Sequence, residues 1–129
     1  MTHVLLDTQA FLLWVSGSDR LTPRAAEAIA DPEVHVLVSA VTAWEIAIKS
    51  AAGKLELEAP AETYVPDRIR MHGFEPLPIT LEHALAAGSL PRHHGDPFDR
   101  MLVAQGQAED VPIITGDPLM SLYDVETLW

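Results

Sequence analysis

The chain has 129 residues, with nineteen Asp and Glu against eight Lys and Arg, a formal net charge of −11, a 48% hydrophobic fraction and no cysteine. That length is expected to build one domain over residues 1–129, and the composition excludes a disordered tail, a disulfide framework and a zinc–thiolate site. The charge argues against a passive nucleic-acid binder, which holds phosphates with a basic surface.

In chain order, Met1-Thr2-His3 supplies no basic leader, and Val4-Leu5-Leu6 meets a charge at Asp7, which speaks against a signal peptide. The same short apolar run predicts a buried parallel strand ending in Asp7. A helix is predicted from Thr8 to Val15, closed by Ser16-Gly17. Thr22-Pro23 caps and opens a second helix, Arg24 to Ala30, which Asp31-Pro32 ends. Val34 to Val38 is β-branched and reads as the second strand.

Ser39 then caps a strongly apolar helix, Ala40 to Ala52, stopped by Gly53, with Val41, Trp44 and Ile48 on one face. The apolar stretch around it is broken by His35, Ser39, Thr42 and Glu45, so no membrane span is expected, and the chain fits a reducing cytoplasmic setting.

Leu55-Glu56-Leu57 is a short extended piece, and Ala61 to Met71 a helix ending at His72-Gly73. Phe74 to Ile79 holds Pro76 and Pro78 and can only be an edge strand or a connection. Thr80 caps Leu81 to Ala87, closed by Gly88. Asp96-Pro97 opens Phe98 to Ala108, Val111 to Thr115 is a buried strand, and Leu122 to Leu128 a last short strand or tail. Strand–helix alternation of this kind predicts an α/β fold with a mostly parallel sheet and helices on both faces.

Five acids stand at informative places. Ligands bind at the carboxyl ends of parallel strands. Asp7 ends the first strand, and Asp117 lies just past the Val111–Thr115 strand. Each could also cap the helix or turn that follows. Asp96 reads best as a helix N-cap, whereas Asp99 sits in the first turn, where the helix dipole gathers negative charge. Glu45 is the only acid between Glu33 and Glu56. It either pairs with Lys49 four residues on or serves a function.

Several carboxylates without cysteine suit Mg²⁺, with Mn²⁺ as a substitute, and such a centre can drive in-line attack of water on a phosphodiester. Lys49, Arg92 and Arg100 are the bases available to steer a polyanion. His93-His94 are adjacent and His3, His35, His72 and His83 scattered, so zinc is not expected. There is no glycine-rich nucleotide loop, so no nucleotide cofactor is expected, and no nucleophile elbow. A haloacid-dehalogenase-like phosphatase needs an acid two residues after Asp7, where Gln9 stands.

The segments Val4–Thr8, Ser39–Lys49, Asp96–Gln105 and Ile114–Asp117 together resemble the PIN domain, in the pattern of VapC-type toxins, from residue 1 to about residue 118. The resemblance implies a three-layer α/β/α sandwich, metal-dependent RNA cleavage, a homodimer and neutralisation by a cognate antitoxin. Asp7, Glu45 and Asp99 match the metal-binding acids and Asp117 the more variable fourth. Thr115 matches a supporting hydroxyl, Asp96 an acid common in the subgroup, and Arg100 a base after the third acid. The alternative is a non-catalytic PIN-like module whose acidic pocket docks a basic peptide.

Overall fold

The computed structural model describes residues 2–129. In chain order the elements are β1 (Thr2–Leu6), α1 (Thr8–Val15), α2 (Pro23–Ala30), β2 (Val34–Ser39), α3 (Ala40–Ala51), α4 (Ala61–Met71), β3 (Glu75–Leu77), α5 (Leu81–Ser89), α6 (Pro97–Glu109), β4 (Ile113–Ile114), a 3₁₀ turn (Met120–Leu122) and β5 (Thr127–Leu128). The strands form one sheet in the order β3-β2-β1-β4-β5, and all pairings are parallel. The chain leaves β1 toward β2 and later returns on its other side as β4. The strand order therefore reverses between β1 and β4, where the carboxyl ends open a crevice.

Alternation along the strands divides the core between two faces. Val4, Leu6, Val36 and Val38 pack with Ala10, Phe11, Ala25, Ile29, Ile46 and Val65 on one face. Leu5, Leu37 and Leu77 pack with Val41, Leu102, Val103 and Tyr123 on the other. Helices thus cover both sides of the sheet in three layers, as the alternating sequence predicted.

Four local readings change. The buried face of α3 is Val41, Thr42, Glu45 and Ile46, while Trp44 and Ile48 are 60% and 42% exposed. The helix is turned to bring Glu45 inward, and the Trp44 ring instead lies edge-on to Phe98 with centroids 5.3 Å apart. Gly88 lies inside α5, which runs on to Ser89 and stops before Pro91, because the residue before a proline disfavours helix. Leu55 to Leu57 is irregular rather than extended. Only Ile113 and Ile114 of the 111–115 stretch form a strand, although the Pro112 carbonyl still accepts from the Leu5 N–H at 2.9 Å.

The tail, uninformative in sequence, becomes the edge strand β5. Trp129 packs over Gly116 so closely that a Cβ there would lie 2.8 Å from the indole. Among the described residues no helix is long and apolar enough to cross a membrane.

Candidate metal centre

Asp7 follows the last residue of β1 and caps α1, its Oδ1 accepting from the Ala10 N–H at 2.7 Å. Capping and site roles are therefore compatible: one oxygen serves the helix, and the carboxylate still lines the crevice. The residue is 5% exposed, and that burial, together with the charges of Asp117 and Glu45, raises its pKa above the ordinary Asp value. A Thr115 hydrogen bond and the Ala10 amide oppose the shift.

Glu45 projects from the buried face of α3. One carboxylate oxygen accepts from the Thr8 hydroxyl at 2.7 Å, and the other from Lys49 Nζ at 2.5 Å. The i,i+4 pair with Lys49 is thus present. It holds a charge only 5% exposed at the crevice rather than decorating the surface. Thr8 is itself within 3.1 Å of the Thr42 hydroxyl, which ties α1 to α3 at this point.

Asp96 caps α6 by accepting from the N–H groups of Phe98 and Asp99 at 2.8 and 3.2 Å. Asp99, one turn into the helix, is freed from capping. Desolvation first, then the Asp96, Glu45 and Asp7 charges, push its pKa up to about 7, with His94 opposing. Asp117 caps the turn after β4 through the Leu119 N–H at 2.9 Å, and its own N–H donates to the Thr115 hydroxyl at 3.0 Å.

Asp7, Glu45, Asp99 and Asp117 all line one crevice of about 420 Å³, together with Thr8, Lys49 and Lys54. Four carboxylates gathered in one crevice, with Asp7 and Asp99 held above the ordinary Asp value, form a cluster of hard oxygen donors. That chemistry fits a divalent cation such as Mg²⁺ or Mn²⁺.

Sequence reasoning missed His94. Its Nε2 lies 3.0 Å from Asp99 Oδ2 and 2.8 Å from Asp117 Oδ2. Its Nδ1 accepts the Asp96 N–H at 3.2 Å, so the neutral ring carries its proton on Nε2 and donates to the two carboxylates. His94 therefore holds two acids in place through hydrogen bonds. Its position two residues before the Asp96 helix cap is the signal in the sequence, masked by the neighbouring His93.

Arg100 was expected to face the substrate. Instead its guanidinium donates to the carbonyls of Ala87, Leu90, Pro91 and His94 and to the Tyr123 hydroxyl, at 2.9 to 3.4 Å. It braces the 87–94 segment that carries His94. The crevice lysines, Lys49 and Lys54, are the bases beside the acids, and Arg92 is exposed on the loop.

Comparison with known proteins gives the family and the fold. The family model described as PIN domain matches residues 4–126. Ribonuclease VapC16 of Mycobacterium tuberculosis is 44% identical over 55 residues, a stretch covering 43% of this chain and 39% of that protein. The chain thus matches about two fifths of that relative's length. Among solved structures, VapBC2 from Rickettsia felis bound to a DNA fragment from their promoter superimposes with a TM-score of 0.71 at 9% identity, covering 98% of each chain. A toxin-antitoxin complex from Klebsiella pneumoniae gives 0.64 at 16% identity, covering 98% of this chain and 96% of that one. At such identities the structural likeness speaks to fold.

Proposed function

The chain belongs to the PIN domain family, and from that premise we propose that it is a Mg²⁺-dependent endoribonuclease of the VapC type, the toxin of a toxin–antitoxin pair. The observation that carries the reading is the convergence of Asp7, Glu45, Asp99 and Asp117 on one crevice at the point where the strand order reverses. Mn²⁺ would serve in place of Mg²⁺. These acids would hold a divalent ion, which would neutralise phosphate charge and supply activated water for in-line attack.

The chain's own residues set the geometry. Asp7, Asp99 and Asp117 would hold the ion, and Glu45 would bind it or orient the attacking water. His94 keeps Asp99 and Asp117 aimed into the crevice, while Lys49 and Lys54 draw the RNA backbone to an otherwise acidic surface. No side chain is required as a covalent nucleophile.

The antitoxin is the partner of this reading. An arginine-bearing segment would enter the acidic crevice and displace metal and substrate. An apolar groove lined by Ala43, Ala47, Val65, Ile69 and Phe74 between α3 and α4 offers its apolar side chains a seat. A second copy of the chain is expected as well, with exposed Trp44, Ile48, Leu81 and Leu85 as candidate contacts.

Purified protein is expected to cleave RNA with Mg²⁺ or Mn²⁺, to stop when EDTA is added, and to be silenced by the product of a neighbouring gene. RNA left intact under all metal conditions, with the basic partner still binding, would support the non-catalytic docking module instead.

The His94 assignment has its own test. His94→Gln, whose amide can still donate, is expected to keep most activity, and His94→Ala to lose roughly 10- to 100-fold with weaker Mn²⁺ binding. Equal Mn²⁺ affinity in all three proteins would remove the positioning role.

A further inference from the structure

The scattered histidines of the sequence do not stay scattered. His3 on β1 and His35 on β2 are register partners in the parallel ladder, and their rings stack with centroids 4.8 Å apart. That distance is close to the spacing of neighbouring strands, about 4.8 Å, so both side chains stand on one face of the sheet. Glu75 opens β3, whose register pairs it with Leu37 on that same face, and its Oε1 lies 2.8 Å from His35 Nδ1. One ligand atom from each of the three residues lies within 4.8 Å of the others.

We propose that His3, His35 and Glu75 form a second cation site that takes Zn²⁺. Two imidazole nitrogens and one carboxylate oxygen are a borderline donor set, matching zinc rather than the hard ions suited to the four-carboxylate crevice. Zinc bonds of about 2.0–2.2 Å place tetrahedral ligands roughly 3.3 Å apart. The His35–Glu75 pair, at 2.8 Å, is already nearer than that, and the stacked His3 and His35 rings would turn so that each aims a nitrogen at the ion. All three ligands are borne on adjacent strands, so the backbone holds the set before the ion arrives. His3 and Glu75 are exposed and His35 half-buried, so an ion can reach the three ligands from solvent.

The site lies at the amino ends of the strands. Asp7, just past the carboxyl end of β1, is four residues further along the chain, roughly 13 Å away. It is therefore separate from the crevice, and bound zinc ties β1, β2 and the short edge strand β3 together. The inference does not depend on the ribonuclease reading.

The experiment is a Zn²⁺ titration of the full chain, followed by equilibrium dialysis and by the ring signals of ¹⁵N-labelled histidine in NMR. Asp7→Asn/Asp99→Asn, which disables the crevice, is expected to retain one zinc equivalent. Adding His3→Asn or Glu75→Gln is expected to lower the affinity of that equivalent at least tenfold, and zinc should raise Tm only where the three ligands are intact. In the unaltered chain the His3 and His35 signals are expected to move together as zinc is added. That measurement decides the matter even if a variant folds poorly. Unmoved His3 and His35 signals, or full zinc affinity in His3→Asn, would overturn the site, and neither result bears on RNA cleavage.

Discussion

Asp99→Asn is expected to lower RNA cleavage by at least about 10³-fold, on the order of 4 kcal/mol of barrier, while making the metal-free protein more stable. Both effects have one origin. Burial and the charges of Asp96, Glu45 and Asp7 raise the Asp99 pKa to about 7. An unfolded Asp titrates near 3.9, so between about pH 4 and pH 7 the folded chain holds a proton that the unfolded chain has lost. The contribution of Asp99 to stability therefore falls as pH rises through that window and stays low above it. Asparagine carries no such charge.

In EDTA and low salt, the Tm advantage of Asp99→Asn is expected to be near zero at pH 4 and largest above pH 7. Mn²⁺ or Mg²⁺ should then stabilise the natural chain at pH 8 far more than at pH 5, because the ion replaces the proton, and should leave the variant little changed. Thermal unfolding across pH with and without metal, beside a cleavage assay, reads all of this. Full cleavage by the variant would sink the metal assignment, and a Tm advantage independent of pH would sink the electrostatic account.

Arg100→Ala is expected to cost about 2–4 kcal/mol of stability, because four carbonyls and the Tyr123 hydroxyl lose a charged, partly buried donor at once. For a chain of this size that is a fall in Tm of roughly 10 °C. Arg100→Lys is expected to recover little, since an ammonium group cannot reach five acceptors laid out for a planar fork. Cleavage should fall too, because the braced segment carries His94 and leads to the Asp96 cap, which together set Asp99. The natural chain and the two variants, compared by denaturant unfolding, would show it. If Arg100→Ala were as stable as the natural chain but bound RNA more weakly, the residue would belong to substrate steering after all.

The layered parallel fold was legible because its signals are local. Short apolar runs ended by acids marked β1 and the stretch around β4, and Thr22-Pro23 and Asp96-Pro97 marked helix starts where proline needs no hydrogen-bond partner. The same local grammar put Asp7 and Asp117 at strand ends. It could not decide between cap and ligand, because a short carboxylate serves both, and the structure shows Asp7 and Asp117 capping while they line the crevice.

Rotation of α3 was misread for a related reason. Apolar periodicity favoured the Val41–Trp44–Ile48 face, but the hydroxyl of Thr8 and the ammonium of Lys49 stabilise Glu45 inside, and that outweighs exposing a tryptophan.

By itself, then, the sequence determined the order of elements, the parallel sheet and the acids able to meet at its carboxyl edge, since periodicity, caps and strand ends act between near neighbours. Only the tertiary structure decided what depends on residues distant in the chain. It set His94 against Asp117 across 23 positions, turned Arg100 into the loop, closed the sheet with β5, and brought His3, His35 and Glu75 onto one face. Such contacts are fixed by strand register and helix rotation, which short-range patterns do not encode.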